Sequence, residues 1–379
     1  MAGRRVMVVA GTRPEAIKLA PVVRRLRAVA GLAVRLVATG QHRELLAQAL
    51  GEFDLVADVD LDLMRPDQSL ADLTARALVA LDRTIAAEAP DLILAQGDTT
   101  TVLASALASF YRRVPFGHVE AGLRTGNLDR PFPEEGNRVL AGRLAALHFA
   151  PTAAARRNLL GEGVAAGAIH LTGNTGIDAL RWAVESLPPL AAHDGRTILV
   201  TAHRRENFGA PLEEICAAIG DLVDRHATAW VVISVHPNPA VRSVIRDRLG
   251  ATGRVRLVDP VGYREFVALM RSSFLILTDS GGIQEEGPSL GIPVLVLRDE
   301  TERPEAVAAG TVRLVGADRG AIVAAVARLW DDPAAYRAAA TAANPYGDGF
   351  AAERIARVVA ARFGLEPPAP PPGFRPDWP

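Results

Sequence analysis

The sequence predicts an α/β protein built from two Rossmann-like, doubly wound domains with parallel sheets. Three observations carry this. Short, nearly all-apolar runs alternate with helical stretches through the first half of the chain, the pattern of strands buried on both faces. The second half repeats the alternation. Almost every apolar run then ends in a polar loop holding glycine, histidine or a charged residue, and in such sheets ligands sit at the carboxyl ends of the strands. The length agrees, since 379 residues at about 150 per domain suit two domains.

In chain order, strands are expected at 6–10, 34–38, 92–95, 116–119 and 147–150, with helices at 16–29, 70–88 and 101–111. After a boundary near 171–174, strands are expected at 198–201, 230–235, 255–258, 274–278 and 294–297, with helices at 211–226, 263–271 and 283–290. The Pro-rich segment from Glu366 cannot form a regular element and is expected to be extended or disordered.

The strongest candidate site is Asp279-Ser280-Gly281-Gly282-Ile283-Gln284-Glu285-Glu286, which follows a buried strand and opens a helix. Ser280 can cap that helix, and the glycines let a ligand approach the backbone. The free N–H groups and the positive end of the helix dipole suit a phosphate, and a carboxylate one turn on can hold sugar hydroxyls. Gly11-Thr12-Arg13-Pro14-Glu15 repeats this architecture after the first strand. Arg13 over a helix N-terminus is unfavourable unless an anion joins it. Lys18 lies about one turn further; spacing alone leaves open whether it faces a cleft or solvent. Residues 118–138 are dense in charge and hold Pro131, Pro133 and three glycines, so they read as one long ordered loop rather than a helix. Asp98, Glu120 and Glu134 can bring several carboxylates to one cleft, where crowding raises one another's pKa and suits acid/base work near neutral pH.

Composition closes other routes. The 42 basic residues balance 43 acidic ones, for a net charge of -1, which argues against nucleic acid or a membrane surface as partner. Lys18 is the one lysine, and it sits between Ile17 and Leu19, so no P-loop is present. The single cysteine, Cys216, lies in an apolar run; it excludes an intramolecular disulfide and a multi-cysteine zinc site, and reads as a core residue. No apolar run approaches the ~18 residues of a membrane span, and residues 6–10 are too short for a signal peptide. A reducing cytoplasm is the expected compartment. Gly287-Pro288-Ser289-Leu290-Gly291 matches a nucleophile elbow in letters, but at a helix end running into a strand rather than the reverse. His118-Val119-Glu120 lacks the cysteine pair of a zinc deaminase. No G-x-G-x-x-G and no H-E-x-x-H occur, so neither a dinucleotide cofactor nor a metal is expected.

The sequence closely resembles the non-hydrolysing UDP-N-acetylglucosamine 2-epimerases. The matching stretches are GTRPEAIKLAPV (11–22), TGQHRELL (39–46), QGDTTT (96–101), GHVEAGLRTGN (117–127), PFPEEGNR (131–138), LTGNTGIDAL (171–180), TAHRRENFG (201–209), DSGGIQEEGPSLGIPVLVLRDETERPE (279–305) and NPYGDG (344–349). They follow the family's order and spacing almost to the C-terminus.

The resemblance implies two Rossmann-like domains facing a central cleft, the GT-B arrangement. Residues 1–172 would form the N-terminal domain and 173–346 the UDP-binding domain, with a helix at about 347–364 packing back on the first and a Pro-rich tail at 365–379. It implies a homodimer, no cofactor, and UDP-GlcNAc, UDP-ManNAc and UDP as ligands. The implied reaction is C2 epimerisation by anti elimination of UDP through 2-acetamidoglucal, then re-addition. Carried over by position, Arg13, His203, Ser280, Gly281, Gly282 and Arg303 match diphosphate contacts. Glu286 matches the ribose-binding carboxylate, and Phe266 a residue beside the uracil. Asp98, Glu120 and Glu134 match the catalytic carboxylates, the first two near C2 and Glu134 at the leaving group. Lys18 and Arg138 match active-site cations, and His203 belongs with the catalytic set. Gln41, Gln68, Arg205 and His236 fit a second UDP-GlcNAc site that activates bacterial members. Glu44 and Asp67 depart from the Gln and Arg of some members, which leaves that activation open. A hydrolysing epimerase, an enzyme for a modified UDP-sugar, a glycosyltransferase and a UDP-sugar-binding regulator are the alternatives.

Overall fold

The computed structural model describes residues 3–40, 43–65, 67–189, 195–236 and 238–376, with backbone alone for Arg43, Arg205 and Ala240. The chain divides into two compact units, Met1–Arg181 together with Tyr346–Pro379, and Trp182–Pro345.

In the first unit the strands are β1 (Arg4–Ala10), β2 (Leu32–Ala38), β3 (Val59–Asp60), β4 (Leu92–Gln96), β5 (Phe116–Val119), β6 (Leu147–Ala150) and β7 (Ile169–Leu171). They form one sheet in the order β3-β2-β1-β4-β5-β6-β7, parallel at every pairing. Central strands are buried throughout, as in Leu92–Gln96, so their sequences are apolar without alternation. The order reverses between β1 and β4, which makes the loops after these two strands the switch point of the sheet.

The second unit repeats the plan with β8 (Arg196–Thr201), β9 (Ala229–Ser234), β10 (Val255–Val258), β11 (Leu275–Thr278), β12 (Val294–Val296) and β13 (Val312–Leu314). Their order is β10-β9-β8-β11-β12-β13, again all parallel. The switch point here lies between β8 and β11. Cys216 is buried in this unit's core with Ile215, Ile219 and Leu222, and burial pushes its thiol up to about 11.

The chain returns to the first unit through Tyr346, whose carbonyl accepts the N–H of Asn174. Asp178 then accepts the N–H groups of Ala351 and Ala352 at 3.0 and 2.7 Å, capping the last helix, Ala351–Arg362. That helix pairs Glu353 with Arg25. Among its described residues the Pro-rich segment carries no regular element, yet it is fastened at several points. Arg25 donates to the Ala369 carbonyl, Arg354 to the Arg375 carbonyl, and Phe374 packs edge-on to Phe350.

One expectation needs correction. Residues 118–138 are not a single loop, because Glu134–Leu144 is a helix. Glu134 and Glu135 favour its first turn through the helix dipole, so the prolines end the loop and do not extend it.

Candidate functional site

The first switch point is held by a buried carboxylate that sequence reasoning did not single out. Thr12 caps the helix Arg13–Arg27 in a capping box with Glu15. Oε2 of Glu15 accepts the N–H groups of Gly11 and Thr12 at 2.6 and 2.8 Å, and Oε1 accepts the Thr99 hydroxyl. Glu15 therefore ties the loop after β1 to the loop after β4. Burial drives its carboxyl up to about 7, outweighing the donors from Thr99, Gly11 and Thr12 that favour the charged form. Arg13 is half-buried at the first helical position.

Around this point the expected carboxylates and cations pair off. Lys18 Nζ lies 2.6 Å from Glu120 Oε2, and Gln96 Nε2 donates to the same oxygen at 2.8 Å. Glu120 follows β5 with φ 63, a left-handed conformation uncommon for a residue with a side chain and typical of sites where packing fixes the backbone. Arg138 is buried and lies 3.1 Å from Asp98 Oδ2 and 3.2 Å from Glu135 Oε2. Asn137 donates to the Asp98 carbonyl at 2.8 Å, and His118 Nε2 meets the Gly97 carbonyl at 2.7 Å. Glu134 is half-buried at the start of its helix. Asp98 and Glu120, which follow β4 and β5, are thus each paired with a cation, Arg138 and Lys18, and Gln96 and Asn137 join these two clusters without having been announced by the sequence.

The second switch point repeats the device. Asp279, fully buried, follows β11. Its Oδ2 accepts the N–H groups of His203 and Arg204, both at 2.8 Å, and Nδ2 of Asn207 at 3.0 Å. Its Oδ1 lies 3.2 Å from His203 Nδ1. Burial lowers the His203 pKa, Asp279 opposes this, and Arg204 and His236 add to it. The rings of His203 and His236 stack at 5.6 Å and 14°.

Ser280 occupies the N-cap of the helix Gly281–Ser289, but its side chain makes no capping hydrogen bond. A Cβ on Gly281 would stand 3.8 Å from Arg303 Nη2 and 3.9 Å from Arg204 Nη2. Two guanidinium groups therefore approach this helix N-terminus, where backbone N–H groups and the dipole favour an anion. Arg303 is oriented by the buried Glu285. On the same helix Gly282 is exposed, and Glu286 accepts the Tyr263 hydroxyl at 2.9 Å. Phe266 is half-buried on the neighbouring helix Tyr263–Arg271. Arg204 and Asp279 were both inside stretches picked out in the sequence, but nothing there marked them.

Of the residues expected at a second nucleotide-sugar site, Gln41 lies outside the described residues, and so does the Arg205 side chain; the Arg205 backbone opens a one-turn helix. Gln68 is in the first unit, where its Oε1 is held by Arg76 and by the Arg65 N–H. His236 is exposed and stacks on His203. Among the described residues no group of His, Cys, Asp and Glu is arranged to hold a metal ion, and no helix is long and apolar enough to cross a membrane.

Two all-parallel, doubly wound units with polar loops at both switch points define a Rossmann-like α/β enzyme of the GT-B fold class. Comparison with known proteins then narrows the class. The family model described as UDP-N-acetylglucosamine 2-epimerase matches residues 24–360. The UDP-N-acetylglucosamine 2-epimerase of Escherichia coli (strain K12) is 52% identical over 364 residues, which cover 93% of this chain and 97% of that protein. The crystal structure of UDP-GlcNAc 2-epimerase from Neisseria meningitidis bound to UDP-GlcNAc superposes with a TM-score of 0.88 at 45% identity, covering 94% of this chain and 100% of that one. The Methanocaldococcus jannaschii UDP-GlcNAc 2-epimerase in complex with UDP-GlcNAc and UDP has a TM-score of 0.80 at 32% identity, covering 94% and 99%. The chain belongs to the UDP-N-acetylglucosamine 2-epimerase family.

Proposed function

We propose that this chain interconverts UDP-N-acetylglucosamine and UDP-N-acetylmannosamine by eliminating UDP and adding it back. C2 of the sugar carries no carbonyl, so its proton is not acidic alone. A base removes that proton while the C–H electron pair forms the C1–C2 double bond and the C1–O bond pair leaves with UDP. The 2-acetamidoglucal is then protonated at C2 from the other face as the diphosphate returns to C1. The sequence is redox-neutral and calls for no cofactor.

The observation that carries this reading is the two carboxylates at the ends of β4 and β5, Asp98 and Glu120, each lying against a cation, Arg138 and Lys18. Carboxylates are proton-transfer groups, and Asp98 and Glu120 are assigned to C2. Glu134 is assigned to the leaving group. The second unit holds an anion site of its own. His203, Ser280, Gly281, Gly282, Arg303 and Arg204 suit a departing diphosphate, whose charge grows as the bond breaks; Arg13 is assigned to the same group. Glu286 is assigned to the ribose hydroxyls and Phe266 to the uracil. Gln41, Gln68, Arg205 and His236 are assigned to an activating UDP-GlcNAc site. The enzyme is taken to work as a homodimer in the cytoplasm.

The test is incubation with UDP-GlcNAc in D2O, followed by NMR. The expected result is UDP-ManNAc with deuterium at C2 of both epimers and little net release of UDP. Free ManNAc with stoichiometric UDP would replace this reading with hydrolysis, and absence of both exchange and product would reject UDP-GlcNAc as substrate.

A further inference from the structure

Asp279 has more to do than hold a loop. Its Oδ2 is saturated by three donors, the N–H groups of His203 and Arg204 and the amide of Asn207. Its Oδ1 is fully buried and makes no hydrogen bond. A buried carboxylate oxygen without a donor is costly, and Nδ1 of His203 lies 3.2 Å from it. The backbone N–H of His203 is held by the same carboxylate, which keeps the attachment point of the ring beside the acceptor. The imidazole carries one proton when neutral and can place it on either nitrogen. A lone carboxylate oxygen beside Nδ1 favours the proton there and disfavours a lone pair facing a lone pair.

We propose that Asp279 is a positioning residue that keeps the proton of His203 on Nδ1 and thereby makes Nε2 the nitrogen that meets the ligand. The consequence for chemistry is direct. With Nδ1 committed, any second proton enters at Nε2. The imidazolium so formed is compensated by the buried carboxylate on one side and by an anionic ligand on the other. His203 can then donate from Nε2 to a diphosphate oxygen as charge develops there. The stack of His236 on the same ring limits rotation about the side chain. The functional part of this inference rests on the proposed role of His203 at the diphosphate; the tautomer itself does not.

Two measurements test it. The first uses the unaltered protein and long-range nitrogen–proton NMR on labelled histidine, at a pH where the ring is neutral. An Nδ1–H tautomer for His203 is expected, and an Nε2–H tautomer overturns the proposal whatever the activity. The second is a double-mutant cycle on kcat/KM for epimerisation. Asp279→Asn is expected to lower it between about 10- and 100-fold, the size of the loss seen when the partner behind a metal-ligating histidine is removed. In the His203→Asn background the same change should add less than about 2-fold, because a residue acting through another has nothing left to act on. A full further loss there means that Asp279 serves the loop alone and overturns the proposal. If Asp279→Asn does not fold, Asp279→Glu takes its place in the cycle, and the NMR result stands independently. Wild-type activity in His203→Asn would instead reject the diphosphate role of His203, while the tautomer measurement still decides what Asp279 does to the ring.

Discussion

Nζ of Lys18 lies 2.6 Å from Oε2 of Glu120, a pair closed across 102 residues of sequence. Both side chains are largely withdrawn from water, at 15% and 8% exposure, so the contact is a charge-assisted bond in a low-dielectric setting and not a solvated surface pair. Gln96 completes the grip on the same oxygen. A guanidinium is planar and bulkier than an ammonium, and in this buried space it has to be placed where the compact ammonium now sits.

Lys18→Arg is therefore expected to lower kcat/KM for epimerisation by about 10- to 100-fold, the worth of a hydrogen bond to a charged group. Steady-state kinetics on the folded variant check this, and wild-type kinetics would return Lys18 to a merely structural role.

Asp98→Asn should nearly abolish deuterium exchange at C2 while UDP still binds. The amide keeps the shape of the side chain beside Arg138 but cannot take up a proton. Calorimetric UDP affinity and NMR exchange on the same sample separate the two effects. Exchange at the wild-type rate would remove Asp98 from proton transfer.

Glu15 makes a prediction about stability. Its carboxyl is raised by burial from 4.5 to about 7, so the folded state binds a proton that the unfolded chain releases. The contribution is complete below about pH 4.5 and is lost as pH rises to about 7, amounting to roughly 3 kcal/mol. Glu15→Gln copies the neutral form, with its oxygen toward the Gly11 and Thr12 N–H groups and its amide toward the Thr99 hydroxyl. The variant should gain on the wild type as pH rises through this window, read as urea midpoints at pH 5, 6, 7 and 8. Parallel curves for the two proteins would contradict the expected protonation.

His118 acts in the opposite sense. Full burial lowers its pKa from 6.5 to about 4, against the pull of the Gly97 carbonyl. The ring is neutral in the folded state, so its contribution is present above pH 6.5 and falls away as pH drops toward 4. His118→Asn should lower stability at pH 7 by about 1–3 kcal/mol through lost packing, and should also flatten the acid side of the profile. Unchanged acid sensitivity would assign it to other groups, such as His148 and His170, whose pKa values burial also lowers.

Central strands were legible because burial on both faces leaves an unbroken apolar run, as at Val6–Ala10 and Leu92–Ala95. Of the four edge strands, Val255–Val258 was legible and the other three were not. Val59–Asp60, Ile169–Leu171 and Val312–Leu314 are two or three residues long and only partly buried, too short for any period to register. The helix at Glu134 was hidden by the prolines just before it. In the site, loop composition exposed Asp98, Glu120 and Ser280, but not the work of Glu15 and Asp279. Their partners, Thr99 and His203, are 84 and 76 residues away. They become neighbours only because β1 lies beside β4 and β8 beside β11, an adjacency that no local pattern carries.

The first unit is discontinuous, and this orders events during synthesis. Domains commonly fold as they leave the ribosome, the N-terminal one first. Here Asp178 waits for the N–H groups of Ala351 and Ala352, and Arg25 waits for Glu353, 328 residues downstream. The uninterrupted unit from Trp182 to Pro345 is translated in full before those partners are. The half of the protein translated first is thus the half completed last, and a chain released early would expose an unpartnered carboxylate at Asp178 and the bare face of the helix that carries Lys18.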